Sequence, residues 1–441
     1  MQQKEISRKD FIRMSGFGMA GLAFASGLLA SSVEAFAGAS EKTLLLKNVR
    51  LETGFIYDED EVVQTKTELF CVAIENGKIK SITANNPNAS NAIDAKGWLM
   101  LPAFRDMHIH LDKTFYGGPW QATKNVSGGI KGMIALEQQM LPEMLKHSTE
   151  HAEKLITLLQ SKGTGFARSH VNIEPTSQLQ SLNNLQKALE NKKKSFGAEL
   201  VAFPQHGVFY TDTAPLMKEV AKMDIDFIGG LDPYTVDGAI EKTVDFTVQL
   251  ALDNNKGIDI HLHERGQSGL QTVEYLIKKV NENPSLKGKT FISHCFVLGM
   301  IDKIKQEEIA VQLGAAGIGI ISTIPFAGPV MPIPTLYKHN VNVMTGNDSI
   351  IDHWSNLGSG SVLEKANTMA QLYNYATEFQ LSRSLKLATG NVLPLDDKGV
   401  QQWPKKGDAA NMVLIDASCS AEAVSRISPV KSLIHQGQIV F

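Results

Sequence analysis

Two histidines one residue apart, His108 and His110, close the apolar run that begins at Trp98. In a strand, residues i and i+2 share a face, so both imidazoles point the same way. Side-by-side imidazoles suit one divalent metal ion. Further ligand types recur at the ends of later apolar runs. His261 closes Ile258-Asp259-Ile260-His261, with His263 and Glu264 just beyond. His294 closes Phe291-Ile292-Ser293-His294, and Asp348 closes the run from Val341. Three histidines and Asp348, with His108 and His110 first, His261 in competition with His263, and a position left for water, match a hydrolytic metal centre. Imidazole and carboxylate donors suit zinc and iron alike.

Such a centre needs elements that bring distant residues together. Eight apolar runs end near His110, His170, Gln205, Asp232, Glu264, Cys295, Thr323 and Asp348. From the second to the eighth, the ends are 25 to 35 residues apart, the size of one βα unit. Helical periodicity fills the gaps at 182–193, 239–254 and 270–280, and a long helix is expected around Glu143 to Leu159, with Pro142 in its first turn. The pattern predicts an α/β fold, a (β/α)8 TIM barrel over 101–390 with its active site at the C-terminal strand ends. Short strands before it, with a hairpin turn at Glu75-Asn76-Gly77-Lys78, and strands after Asn411 predict a small discontinuous β-sandwich domain from 40–100 and 391–441. His170 fits a hydrogen-bonding role in the core or a substrate contact. Asp112, Lys113, His206 and His353 read as loop supports, and Cys295 as core packing.

Bulk properties narrow the class. The 441 residues are 43% hydrophobic and 20% charged, with a net charge of -3, so there is no electrostatic case for nucleic acid. Three cysteines without C-x-x-C spacing supply neither a disulfide framework nor a structural zinc site. Residues 1–39 read as an export signal. Lys4, Arg8, Lys9 and Arg13 precede the uncharged stretch Met14 to Ser32 and an A-x-A site at Ala35-Phe36-Ala37. Ser7 to Arg13 resembles a twin-arginine signal with lysine as its second basic residue. The expectation is a periplasmic protein that meets the export machinery through this signal.

Leu101-Pro102-Ala103-Phe104 followed by His108-Ile109-His110-Leu111-Asp112 resembles the opening signature of the amidohydrolase superfamily. Three further stretches are similar to its cytosine deaminase branch: Val201 to Gly207, Ile258 to Glu264, and Gly346-Asn347-Asp348 followed by Trp354. Lys406 to Asn411 resembles that family's return to its β domain. The resemblance implies that His108, His110, His261 and Asp348 bind the metal. It also implies that Glu264 and His294 work on substrate and nucleophilic water, that Gln205 reads the substrate's amide edge, and that Trp354 lines the pocket. The physics agrees: a metal lowers the pKa of bound water toward roughly 7, Asp348 can accept its proton, Glu264 can protonate a ring nitrogen and then the leaving ammonia, and His294 can hold the attacking oxygen in place and stabilise charge on it.

Binuclear relatives carry a bridging lysine or glutamate on strand four. Here that strand ends Gly229-Gly230-Leu231-Asp232, which favours one ion, with Asp232 the residue that could hold a second. Three positions depart from cytosine deaminases: Ser349 replaces a second aspartate, His206 a glutamate and Lys113 a threonine. The expected function is metal-dependent hydrolysis of a C–N bond. Deamination of a cytosine-like nitrogen heterocycle ranks first, hydrolysis of a cyclic or linear amide second, and a non-catalytic metal-binding barrel third.

Overall fold

The computed structural model describes residues 43–326 and 328–441. The expected export signal at 1–39 lies outside the described residues. Among these, no helix is long and apolar enough to cross a membrane.

Five strands come first: β1 (Thr43–Asp58), β2 (Glu61–Glu75), β3 (Lys78–Ala84), β4 (Ile93–Asp94) and β5 (Leu99–Pro102). The β2–β3 hairpin turns on Asn76 and Gly77, both at positive φ (51° and 72°), as a two-residue turn requires. After the barrel, β14 (Met412–Ile415), β15 (Val430–His435) and β16 (Gln438–Ile439) return to this sheet. Its order is β16-β15-β14-β5-β1-β2-β3, with β4 on β1. Both ends of the described chain therefore build one continuous hydrogen-bonded sheet. Its core takes Leu46, Leu51, Val72, Met100, Met412 and Ile434 from both ends.

The second sheet is the barrel: β6 (Phe104–Ile109), β7 (Thr164–Asn172), β8 (Gly197–Phe203), β9 (Phe227–Leu231), β10 (Gly257–Leu262), β11 (Thr290–His294), β12 (Ile318–Ser322) and β13 (Val343–Thr345). All neighbours run parallel, in sequence order. A parallel bridge between Ile109 and Asp348 joins the last strand end to the first. These strands are buried on both faces, which is why they read as continuous apolar runs.

Helices cover the outside. Among them are α1 (Gly129–Met144), α2 (Ser148–Ser161), α3 (Gln180–Lys192), α4 (Ala214–Val220), α5 (Ile240–Asp253) and α6 (Gln267–Glu282). The helix expected from Pro142 onward is instead two. Pro142 lies in the last turn of α1, and the chain breaks over Leu145 to His147 before α2 begins. Pro142 lacks the N–H that would donate to the Gln138 carbonyl and its ring crowds that carbonyl, so it stops a helix within a turn rather than starting one here. The missed helix matters, because α1 carries Glu137 into the barrel mouth.

Candidate metal centre and active site

His108 and His110 leave the end of β6 on one face, as their spacing requires. β10 brings His261, β11 brings His294, and Asp348 follows β13. Asp348 is locked against the first strand: its N–H donates to the His108 carbonyl at 2.7 Å. That approach needs Gly346, where a Cβ would lie 2.3 Å from the same carbonyl oxygen. His294 and Asp348 hold positive φ, 67° and 64°. Such backbones cost roughly 1–3 kcal/mol each and cluster at functional sites.

One donor atom from each of His108, His110, His261 and Asp348 falls within 4.8 Å of all the others. His110 Nε2 lies 3.3 Å from His261 Nε2, and Asp348 Oδ1 is 3.4 Å from His108 Nε2 and 3.3 Å from His110 Nε2. Burial, then the Lys113 ammonium, push His110 down to about 3. Burial likewise holds His261 and His294 well below the ordinary histidine value. Burial alone would raise Asp348, but the facing imidazoles of His294, His108 and His110 outweigh it and keep the carboxylate ionised. Neutral imidazoles around a carboxylate are the protonation states that ligation needs. His108 Nε2 is buried without a hydrogen-bond partner, which a cation would supply. The residues fit a divalent metal.

A second set, His108, His170 and Asp259, also lies within 4.8 Å. Asp259 is already committed there: Oδ1 accepts from Ser293 Oγ at 2.7 Å, and Oδ2 pairs with Arg168 Nη1 at 3.0 Å. This set is an internal ion-pair network. His170 is fully buried, its ring centre 4.1 Å from that of His108, and neither of its nitrogens has a hydrogen-bond partner.

Glu264 is held by one oxygen. Its Oε1 accepts from the backbone N–H groups of Tyr234 and Thr235 at 3.0 and 2.8 Å. Its Oε2 is buried without a partner. Asp232 fixes the same turn by accepting from the N–H groups of His263 and Glu264, and its Oδ2 lies 2.9 Å from His263 Nδ1. Asp232 is thus engaged in positioning, and among the described residues it joins no metal-competent group. Burial lowers His263, but the Asp232 carboxylate outweighs it and raises the imidazole. The His263 ring centre lies 4.3 Å from that of His294.

Known proteins share this fold. The model of the Amidohydrolase family matches residues 136–441. The chain belongs to the amidohydrolase family. It is 52% identical over 400 residues to the Escherichia coli (strain K12) protein YahJ, covering 90% of this chain and 87% of that one. Among solved structures, N-isopropylammelide isopropylaminohydrolase from Burkholderia multivorans superposes with a TM-score of 0.78 at 26% identity, covering 90% of this chain and 98% of that one. A 5-methylcytosine deaminase from Klebsiella pneumoniae gives 0.75 at 25% identity, covering 90% and 97%. The amidohydrolase is a hydrolase of C–N bonds, as its sequence motifs implied.

One wall of this amidohydrolase's site was not foreseen. Glu137 of α1 is fully buried. Its carboxylate accepts from Asn172 Nδ2 at 2.6 Å and Trp354 Nε1 at 2.9 Å, and lies 3.6 Å from Lys113 Nζ and 3.2 Å from His353 Nε2. Lys113, only 1% exposed, also donates to Gln205 Oε1 at 2.5 Å. His206 sits between Glu137 and Glu174, at 3.8 and 3.4 Å. Asp112 accepts from the Asn172 backbone N–H. Lys113, His206 and His353 are therefore parts of a buried charge network that ties Gln205 to Trp354, a larger part than loop support. Cys295 is fully buried in the barrel core, and burial pushes its thiol up. Ser349 is buried beside Asp348.

Proposed function

We propose that this amidohydrolase removes an exocyclic amino or alkylamino group from an oxo-bearing nitrogen heterocycle of the aminopyrimidine or aminotriazine kind, with a cytosine-like ring ranking first. The relatives named for 5-methylcytosine and N-isopropylammelide support this class. One observation carries the reading: Glu264, three residues after His261, has Oε1 fixed by two N–H donors and Oε2 buried and unpaired.

His108, His110, His261 and Asp348 would hold one zinc or iron ion. Such an ion supplies Lewis acidity and makes water nucleophilic at neutral pH. The protein's own groups do the rest. Asp348 accepts the proton of the attacking water. Glu264 takes the other proton of that water, delivers it to the ring nitrogen, and then passes the proton held by Asp348 to the leaving amine. His294 donates to the oxygen on the attacked carbon. Gln205 has its Oε1 taken by Lys113, which leaves the Nε2 hydrogens for a ring carbonyl or ring nitrogen. Trp354, its indole N–H held by Glu137, offers a ring face to the heterocycle.

The test is amine release from a panel of aminopyrimidines, aminotriazines, creatinine-like rings and lactams. Ammonia or alkylamine from the oxo-amino rings supports the reading. Opening of lactams or acyl amides without amine loss from a ring overturns it in favour of amide hydrolysis. Export, proposed from residues 1–39, is tested by sequencing the N-terminus of the protein in the periplasmic fraction.

A further inference from the structure

A buried polar chain runs from the barrel interior to one candidate ligand. Glu199 Oε2 accepts from both Nε and Nη2 of Arg168 at 3.0 Å. The same guanidinium packs over the rings of Phe227 and Phe291, 3.9 and 4.3 Å from their centres, and pairs through Nη1 with Asp259 Oδ2 at 3.0 Å. Asp259 Oδ1 meets Ser293 Oγ at 2.7 Å, and Ser293 Oγ meets His108 Nδ1 at 2.8 Å. Apart from Glu199 at the outer end, all these side chains are buried.

The proton positions along this chain follow from donor counting. Arginine only donates and a carboxylate only accepts, so Asp259 must receive the single Ser293 hydroxyl proton. Ser293 Oγ is then left to accept from His108 Nδ1–H. His108 Nε2 consequently carries a lone pair, and Nε2 is the atom that faces Asp348. The other two imidazoles lack such an anchor: His110 Nδ1 and His261 Nδ1 are buried without partners.

We infer that Arg168, Asp259 and Ser293 are positioning residues that fix the Nδ1–H tautomer of His108 and so make it a competent metal ligand. The inference rests on reading the four-residue group as a metal site. It has a consequence that a merely structural network would lack. In Asp259→Asn the amide oxygen must face Arg168, because the guanidinium can only donate. The amide nitrogen then faces Ser293 and donates to it. Ser293 turns its proton toward His108 Nδ1, and His108 is driven to the Nε2–H tautomer, which has no lone pair for a metal. An isosteric change two bonds of the relay away should therefore do more harm than deleting the hydroxyl in Ser293→Ala.

The test uses the full chain and two readouts. Co2+ affinity is measured by competition with a chromophoric chelator, and the tautomers of 15N-labelled histidine are read by NMR on metal-free protein. Loss of one outer-shell partner typically costs 10–100-fold in metal affinity. The expectation is a loss of about 10-fold or more for Ser293→Ala and about 100-fold or more for Asp259→Asn. In the NMR experiment, wild-type His108 should be Nδ1–H and the Asp259→Asn variant Nε2–H. The inference is overturned if Asp259→Asn keeps the Nδ1–H form, or if it binds Co2+ more tightly than Ser293→Ala. If wild type binds no Co2+ at all, the reading of the metal site falls, while the NMR experiment still decides the tautomer relay.

Discussion

Two polar clusters share the mouth of the barrel and are about equally buried. In the first, one nitrogen each of His108, His110 and His261 lies within 4.8 Å of the others and of an Asp348 oxygen, and His108 Nε2 has no hydrogen-bond partner. In the second, around Glu137, charges of both signs are paired: Lys113 with Glu137 and Gln205, Trp354 and Asn172 with Glu137. Buried polar groups are costly unless satisfied. The first cluster is a socket that a cation completes; the second holds its Glu137–Lys113 pair without a cation, although neither nitrogen of His206 or of His353 has a hydrogen-bond partner. On the proposed function, chemistry and specificity are separated: the socket would carry the reaction, and Lys113, His206 and Ser349 would set which ring the barrel fits.

Substitutions should break the two clusters in different ways. Asp348→Asn in the socket should lower kcat by at least about 10³-fold, within the range for removing a proton-transfer group, and should also weaken metal retention, read by metal analysis. Glu264→Gln should lower kcat by about 10²–10⁴-fold while metal content stays at the wild-type level. Unchanged turnover there would remove Glu264 from its assigned role. Glu137→Ala in the wall leaves Lys113 buried and unpaired, so it should destabilise the fold by about 3–5 kcal/mol, measured by urea denaturation. It should raise KM and leave metal content unchanged. Parallel loss of metal in Glu137→Ala would show that the two clusters are not separable.

Acid should distinguish them by a smaller effect. His110, held at about 3, and His170, His261 and His294, also held low, stay neutral in the folded protein. The unfolded chain protonates them below roughly 6.5. Because the unfolded state binds more protons, stability is present above that value and falls as pH drops toward 3, by up to about 1.4 kcal/mol per pH unit for each imidazole. Asp106 and Asp112, raised to about 6 by burial, act in the opposite direction below that pH, as do the raised Glu52, Asp352 and His263, whereas His435, held at about 4, and the lowered Asp348 and Glu137 add to the loss. Metal-free protein should therefore have a lower urea midpoint at pH 5 than at pH 7.

Much of the socket was legible in the sequence because its residues stand at the ends of buried apolar strands, where periodicity and spacing both register. His108, His110, His261 and Asp348 converge as their positions implied. The wall was not legible for a physical reason. Glu137 sits on an amphipathic helix, where a glutamate looks like a solvated surface charge, and its partners come from four other segments of the chain. Reading Pro142 as a helix start also hid α1 itself. The tautomer relay did leave a trace: Asp259 is two residues before His261 and Arg168 two before His170, so each charge shares a strand face with a histidine. Charges inside apolar runs, at that spacing, were available as a clue.

The central claim is that the socket holds a metal ion and that this ion makes the protein a hydrolase of ring C–N bonds. The most direct measurement is metal content and amine release on one purified preparation, before chelation, after chelation and after zinc or iron is restored. The account predicts close to one ion per chain, release of ammonia or alkylamine from an oxo-amino heterocycle, loss of both on chelation and return of both with metal. Full turnover by metal-free protein, or bound metal with no hydrolysis of any C–N substrate in the panel, would contradict it.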